Sequence, residues 1–270
     1  MLQAIGFFKL CIRSYIFMQL SDQWVLVTGG ARGLGAAISR AVTGTGAGVV
    51  INYFQSAQAA RALAAELGPR AIALQADVTD KTAVQRLFDE ARQRTGAPIT
   101  AVVNNALAQF QFDGDARPQL ADISWERFHQ QIEGAVKGAL NTMQVALPAM
   151  QSAGYGRVVN IGTNLVQNPV VPYHDYTAAK AALMALTRTA ANDLGPAGIT
   201  VNMVSGGLLR VTDASRATPD AVFELIASLT PLRRVTTPAE FADAVLFFLS
   251  PWSRAVTGQN LVVDGGLVKD

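Results

Sequence analysis

From residue 24 onward, short runs rich in β-branched residues alternate with longer, Ala-rich segments of helical periodicity. The runs are WVLVT (24–28), GVVINY (48–53), AIALQA (71–76), TAVVNN (100–105), GRVVNI (156–161), GITVNMV (198–204) and QNLVVD (259–264). Each is continuously apolar rather than alternating, the pattern of strands covered on both faces of a parallel sheet. Helical segments are expected near 33–44, 57–67, 81–95, 124–151, 175–194 and 238–249. Asp80, Ser124 and Thr237 are the residue types that start helices, and Pro238 fits the first helical position. Gly195-Pro196 closes another helix. Strict β/α alternation implies a doubly wound sheet with right-handed crossovers and helices on both faces.

Length and composition narrow the rest. A chain of 270 residues, half of them hydrophobic, suits one α/β domain with a large core. Basic and acidic residues number 22 and 20 and are mixed along the chain, so no nucleic-acid stripe is expected. The single cysteine, Cys11, excludes an internal disulfide, and His129 and His174 with one distant cysteine cannot build a zinc site. No metal is expected, and His174, beside Tyr176 and Lys180 in sequence, reads as a surface position, with a substrate contact as the alternative. Residues 1–17 are apolar but interrupted by Lys9 and Arg13, too short to span a membrane, and without a signal-peptide cleavage pattern. They read as an extension outside a domain of residues 18–270, with a weak amphipathic membrane contact as the alternative. No membrane partner and a cytoplasmic setting are the expectation. Residues 107–123 and 206–236 read as irregular. Both follow strands, where such folds bind ligands.

The stretch VLVTGGARGLGAAI (25–38) is strand, glycine-rich turn and helix. Gly29, Gly33 and Gly35 permit a tight turn and close approach of a pyrophosphate to the backbone, and the helix amino terminus adds free N–H groups. A single-domain Rossmann fold binding a dinucleotide follows. A second motif is YHDYTAAK (173–180). Lys180 follows Tyr176 by four residues, one helical turn on the same face, whereas Pro172 puts Tyr173 at or before the helix start. An ammonium beside a phenol favours the phenolate and brings an acid/base group towards neutral pH.

TGGARGLG, NNA at 104–106, YTAAK at 176–180 and TGQNLVVDGG at 257–266, in this order and spacing, resemble the short-chain dehydrogenase/reductase family, notably its 3-oxoacyl-[acyl-carrier-protein] reductase-like members. The resemblance covers residues 18–270. It implies transfer of hydride between a nicotinamide cofactor and a carbonyl or alcohol, with Tyr176 as acid/base and Lys180 tuning it and holding the ribose. Thr163 stands where the family usually has the substrate-binding serine. Cofactor contacts are implied for Gly29, Arg32, Gly33, Leu34, Gly35, Asp77, Val78, Asn104, Ala106, Tyr176 and Lys180. Three positions depart from the pattern: Ala135 replaces the asparagine of the proton relay, Leu107 a glycine, and Gly206-Gly207 a Pro-Gly pair. The second strand ends at Tyr53 without the acid that NAD-preferring members use. Arg32 offers a charge-assisted contact to a 2′-phosphate, with Asn52 and Ser56 as neutral partners, so NADP(H) is the expected cofactor. The apolar residues Leu208, Leu209, Val211, Phe223 and Leu225 fit a greasy substrate, such as a 3-oxoacyl thioester or small carbonyl compound, or equally a packed lid. A homo-oligomer is implied by family analogy. The competing reading is a catalytically weak or inactive nucleotide-binding regulator or scaffold.

Overall fold

The computed structural model describes residues 18–269 apart from 108, 109, 111, 113, 211, 213, 214 and 217. The expectations for the extension 1–17 and for Val211 lie outside the described residues. Seven strands form one parallel sheet: β1 (Trp24–Val27), β2 (Gly48–Tyr53), β3 (Ala71–Gln75), β4 (Ala101–Asn104), β5 (Gly156–Thr163), β6 (Ile199–Gly206) and β7 (Asn260–Val263). Their order is β3-β2-β1-β4-β5-β6-β7. The direction of winding reverses between β1 and β4, which opens a crevice at the carboxyl ends of those strands.

Both faces of the sheet are covered, as the continuous apolar runs require. Val25 and Val27 of β1 point into one core with residues of α1 (Gly33–Gly44), α2 (Ala57–Leu67) and α8 (Pro238–Leu249). Leu26, between them, points into the other core with α3 (Lys81–Thr95), α5 (Gly138–Ala153) and α6 (His174–Leu194). The expected helix starts are present. Asp80 accepts a hydrogen bond from Thr82 N at 2.8 Å, Ser124 caps α4 (Trp125–Ile132), and Thr237 forms a reciprocal capping box with Glu240. Such caps are worth about 1 kcal/mol each.

Two expectations need correction. The helix anticipated over 124–151 is interrupted by a π-helical turn, Glu133–Lys137, between α4 and α5. The extra residue changes the helix phase just where Ala135 faces the sheet, and such turns are often found at functional sites. The stretch 206–236 is not irregular throughout, because α7 spans Asp220–Leu229. Its one buried residue is Phe223, so the helix has too narrow an inward face to show clearly in the sequence. β5 and β6 run eight residues in register from Gly156↔Ile199 to Thr163↔Gly206. β5 runs on past the end of β4, whose last pair is Asn104↔Asn160, and carries Thr163 to the rim of the crevice.

Candidate active site

The glycine turn after β1 is held from two sides. Thr28 Oγ1 accepts from the backbone N–H of Asn105 and of Ala106, each at 2.9 Å. The Asn105 amide donates back to Thr28 O at 2.9 Å, and Asn52 Oδ1 accepts from Gly29 N at 3.2 Å. A Cβ at Gly35 would lie 2.2 Å from Gly29 O, so no side chain fits there. Gly29 also has φ +59°, a conformation that favours glycine. No side chain caps the first turn of α1. The turn therefore presents bare backbone and helix N–H groups, a cradle that suits a pyrophosphate.

The other cofactor candidates lie along the same crevice. Arg32 is exposed at the N-cap of α1, Gly33 follows it, and Leu34 packs on the core. Asn52 is buried, and its amide is engaged by Gly29 N and by Ala76 O, so it shapes the turn. Tyr53 is buried in the core, while Ser56 is half-buried at the N-cap of α2 and makes no cap bond. Asp77 Oδ1 accepts from the backbone N–H and hydroxyl of Thr79. Val78, Asn104, Ala106 and Lys180 line a cavity of about 10 Å³, together with Ala135 of the π-turn. That volume is at the lower limit for one water. Ala135 leaves this space where the family places an amide.

Thr163 is the last residue of β5, Tyr176 lies in the first turn of α6, and Lys180 is one turn further. All three are buried. The Thr163 hydroxyl lies beside the Tyr176 phenol and favours its ionised form. Tyr173 caps α6 from outside the helix and its hydroxyl accepts from Gly114 N at 2.9 Å, so it pins a loop. The lysine therefore belongs with Tyr176, as the spacing implies. Its effect in the ligand-free chain differs from the expectation. Lys180 Nζ donates to Ile161 O at 2.7 Å and lies 5.8 Å from the Tyr176 ring centroid. Burial pushes the Tyr176 phenol up to about 12, with the Thr163 hydroxyl opposing. Burial also brings Lys180 down to about 8. Desolvation is the largest effect on both groups.

This arrangement costs stability. Folded Lys180 protonates near 8 rather than 10.5. The penalty is therefore absent above pH 10.5, grows as pH falls, and is complete below pH 8. Lys180→Met should raise the melting temperature of the ligand-free protein at pH 7, by the equivalent of roughly 2–3 kcal/mol. Thermal scans from pH 7 to 10.5 should show that gain shrinking as pH rises. A variant less stable than wild type at pH 7 would contradict this account.

Several residues around the site were not anticipated. Asp175, buried beside Tyr176, accepts from Tyr176 N at 2.9 Å and pairs with Arg127 Nε of α4 at 3.3 Å. An acid in the first turn of a helix was its only sequence signal. Asn164 donates to the buried Asp264 at 2.9 Å, tying the end of β5 to the loop after β7. Phe110, Phe112, Tyr173 and Tyr176 form a ring cluster. Phe110 lies flat on Tyr176, with centroids 4.3 Å apart and planes at 16°. Phe110 also meets Phe112 and Tyr173 edge-on, at 4.9 and 5.3 Å. Each such pair adds about 0.5–1.5 kcal/mol beyond its buried area. His174 is half-buried. Leu209 packs into the core shared by α1, α2 and α8 and Phe223 is buried, whereas Leu208 is half-buried and Leu225 is exposed.

Residues 29–268 match the family model described as enoyl-(acyl carrier protein) reductase. The chain is 34% identical over 256 residues to a 3-oxoacyl-[acyl-carrier-protein] reductase of Synechocystis, covering 92% of this chain and 98% of that one. It belongs to the short-chain dehydrogenase/reductase family. A chloroplastic NADPH-dependent aldehyde reductase of Arabidopsis thaliana is 29% identical over 260 residues, 92% of this chain and 94% of its own. A crystal structure described as a candidate gluconate dehydrogenase from Agrobacterium tumefaciens superposes with a TM-score of 0.83 at 28% identity, covering 92% of this chain and 97% of that one. Family membership makes the chain an oxidoreductase acting on carbonyl or alcohol groups with a nicotinamide cofactor. Among the described residues, no group of side chains could hold a metal ion. Nor is any described helix long and apolar enough to cross a membrane.

Proposed function

We propose that the protein is an NADP(H)-dependent carbonyl reductase whose substrates include 3-oxoacyl thioesters and compact ketones or aldehydes. The observation that carries this reading is the convergence of Thr163, Tyr176 and Lys180 beside the glycine cradle. When bound, the nicotinamide supplies or accepts the hydride. The chain's own residues do the remaining work. Thr163 and Tyr176 hydroxyls receive the carbonyl oxygen, and Tyr176 delivers the proton that the developing alkoxide needs. Lys180 holds the ribose, and its ammonium favours the Tyr176 phenolate for the reverse direction. The names of the Synechocystis and Arabidopsis relatives support both the substrate class and the reduced phosphorylated cofactor. Cytoplasmic residence and assembly into a homo-oligomer are part of the same proposal by family analogy.

A nucleotide-binding regulator without turnover is the second reading. It draws on Ala135 in the relay position and on Phe110 closed over Tyr176. Steady-state NADPH oxidation with a panel of 3-oxoacyl thioesters, quinones and small ketones tests the two. Turnover above the substrate-free rate, stopped by Tyr176→Phe, is expected. Tight NADPH binding with no turnover across the panel would favour the regulator.

A further inference from the structure

We infer that Phe110 and Phe112, with Tyr173, form a substrate subsite that selects carbonyl compounds carrying an aromatic ring on the reacting carbon. The inference rests on the carbonyl-reductase reading and names the substrate class within it. A carbonyl oxygen placed between the Thr163 and Tyr176 hydroxyls leaves its substituents within about one ring's width of Tyr176. The face of Tyr176 is already taken by Phe110, lying flat at a centroid distance of 4.3 Å. Phe112 stands edge-on to the same tyrosine at 5.9 Å and to Tyr173 at 5.5 Å. A group attached to the reacting carbon thus meets a wall of mainly aromatic rings, with Leu165 and Val171 as its aliphatic members.

The rings form a built wall rather than a loose plug. Phe110 is 9% exposed and contacts three rings at once, Phe112, Tyr173 and Tyr176. Tyr173 in turn is fixed by the Gly114 N–H at 2.9 Å. A substrate that displaced Phe110 would forfeit all three ring contacts, so a ligand gains more by extending the cluster than by replacing a member of it. Extension favours a flat ring over a puckered one of the same carbon count. Offset-stacked and edge-to-face partners add a preference of about two- to tenfold over an aliphatic group of similar area.

The test compares 1-phenylethanone with 1-cyclohexylethanone, which share a carbon skeleton, and the matching pair of 3-oxo thioesters of N-acetylcysteamine. The readout is the aryl-to-cyclohexyl ratio of kcat/KM, with NADPH saturating. Conjugation makes the aryl ketone intrinsically different, but that difference cancels when wild type and variants are compared. Phe110→Leu and Phe112→Leu are each expected to lower the ratio about three- to tenfold, mainly through KM for the aryl member, with NADPH affinity unchanged. Ratios that stay within a factor of about 1.5 in both variants overturn the inference alone. So does Phe110→Ala if it accelerates both members of a pair equally, since Phe110 would then be a plug. No turnover of any carbonyl compound overturns the reductase reading, and the inference falls with it.

Discussion

Tyr176→Phe should lower kcat for carbonyl reduction by about 10³-fold or more while changing NADPH affinity less than about twofold. A positioned general acid typically contributes 10²–10⁴ to the rate, and the proposed acid is the buried Tyr176 phenol beside Thr163. The ring itself packs against Phe110 and Phe112. Phenylalanine keeps that packing, so the variant should fold. Tyr173→Phe is the control. It loses the hydrogen bond from Gly114 N, and kcat should fall less than about fivefold. A pH signature accompanies the assignment. The phenol, pushed up to about 12 in the ligand-free chain, is fully protonated near neutrality. Reduction, which needs the acid form, should therefore be flat between roughly pH 6 and 8. Alcohol oxidation needs the phenolate, and its rate should climb about tenfold per pH unit below the pKa of the liganded enzyme. Near-wild-type kcat in Tyr176→Phe would remove the tyrosine from the chemistry, whatever the pH profiles show.

How much of this was legible beforehand depended on whether the signal was local. The strands could be read because burial on both faces leaves an unbroken apolar run, and Val25, Leu26 and Val27 divide between the two cores as such a run requires. The caps could be read because Asp80, Ser124 and Thr237 each act on N–H groups within three residues. The proximity of Tyr176 and Lys180 could be read because one helical turn fixes it. Contacts made over long separations left little trace. Phe110 belongs to a stretch with no periodicity, and nothing in its neighbourhood announces that it will lie on a residue 66 positions away. Asn164 meets Asp264 across 100 residues. The π-turn is a matter of one extra residue in a helix, which leaves the apolar pattern on either side intact. The tyrosine pKa went the other way for a related reason. Sequence spacing gives the lysine's proximity but not the depth of burial, and here burial is the larger effect.

Cofactor choice follows from charge at the end of β2 and the start of α1. NADPH should bind more tightly than NADH by about ten- to a hundredfold, the equivalent of one charge-assisted hydrogen bond at roughly 1.5–3 kcal/mol. The guanidinium at Arg32 is exposed, which favours the lower end of that range. No carboxylate stands among residues 48–58 to repel a 2′-phosphate, which carries close to two negative charges at neutral pH. Arg32→Ala should erase most of the preference by weakening NADPH and leaving NADH nearly unchanged. The complementary variant adds an acid. Tyr53 is a poor place for it, because that side chain is buried and a carboxylate there would be desolvated. Ser56 is half-buried at the N-cap of α2, where aspartate is as good a cap as serine. Ser56→Asp should therefore fold normally and weaken NADPH by repulsion while sparing NADH. Raising salt from about 0.05 to 0.5 M should weaken NADPH more than NADH, because only the former carries the extra charge and the arginine is open to screening. Fluorescence titration of both cofactors against wild type and the two variants decides the matter. Equal affinities in wild type, or an Arg32→Ala variant that weakens both cofactors alike, would show that Arg32 does not read the phosphate.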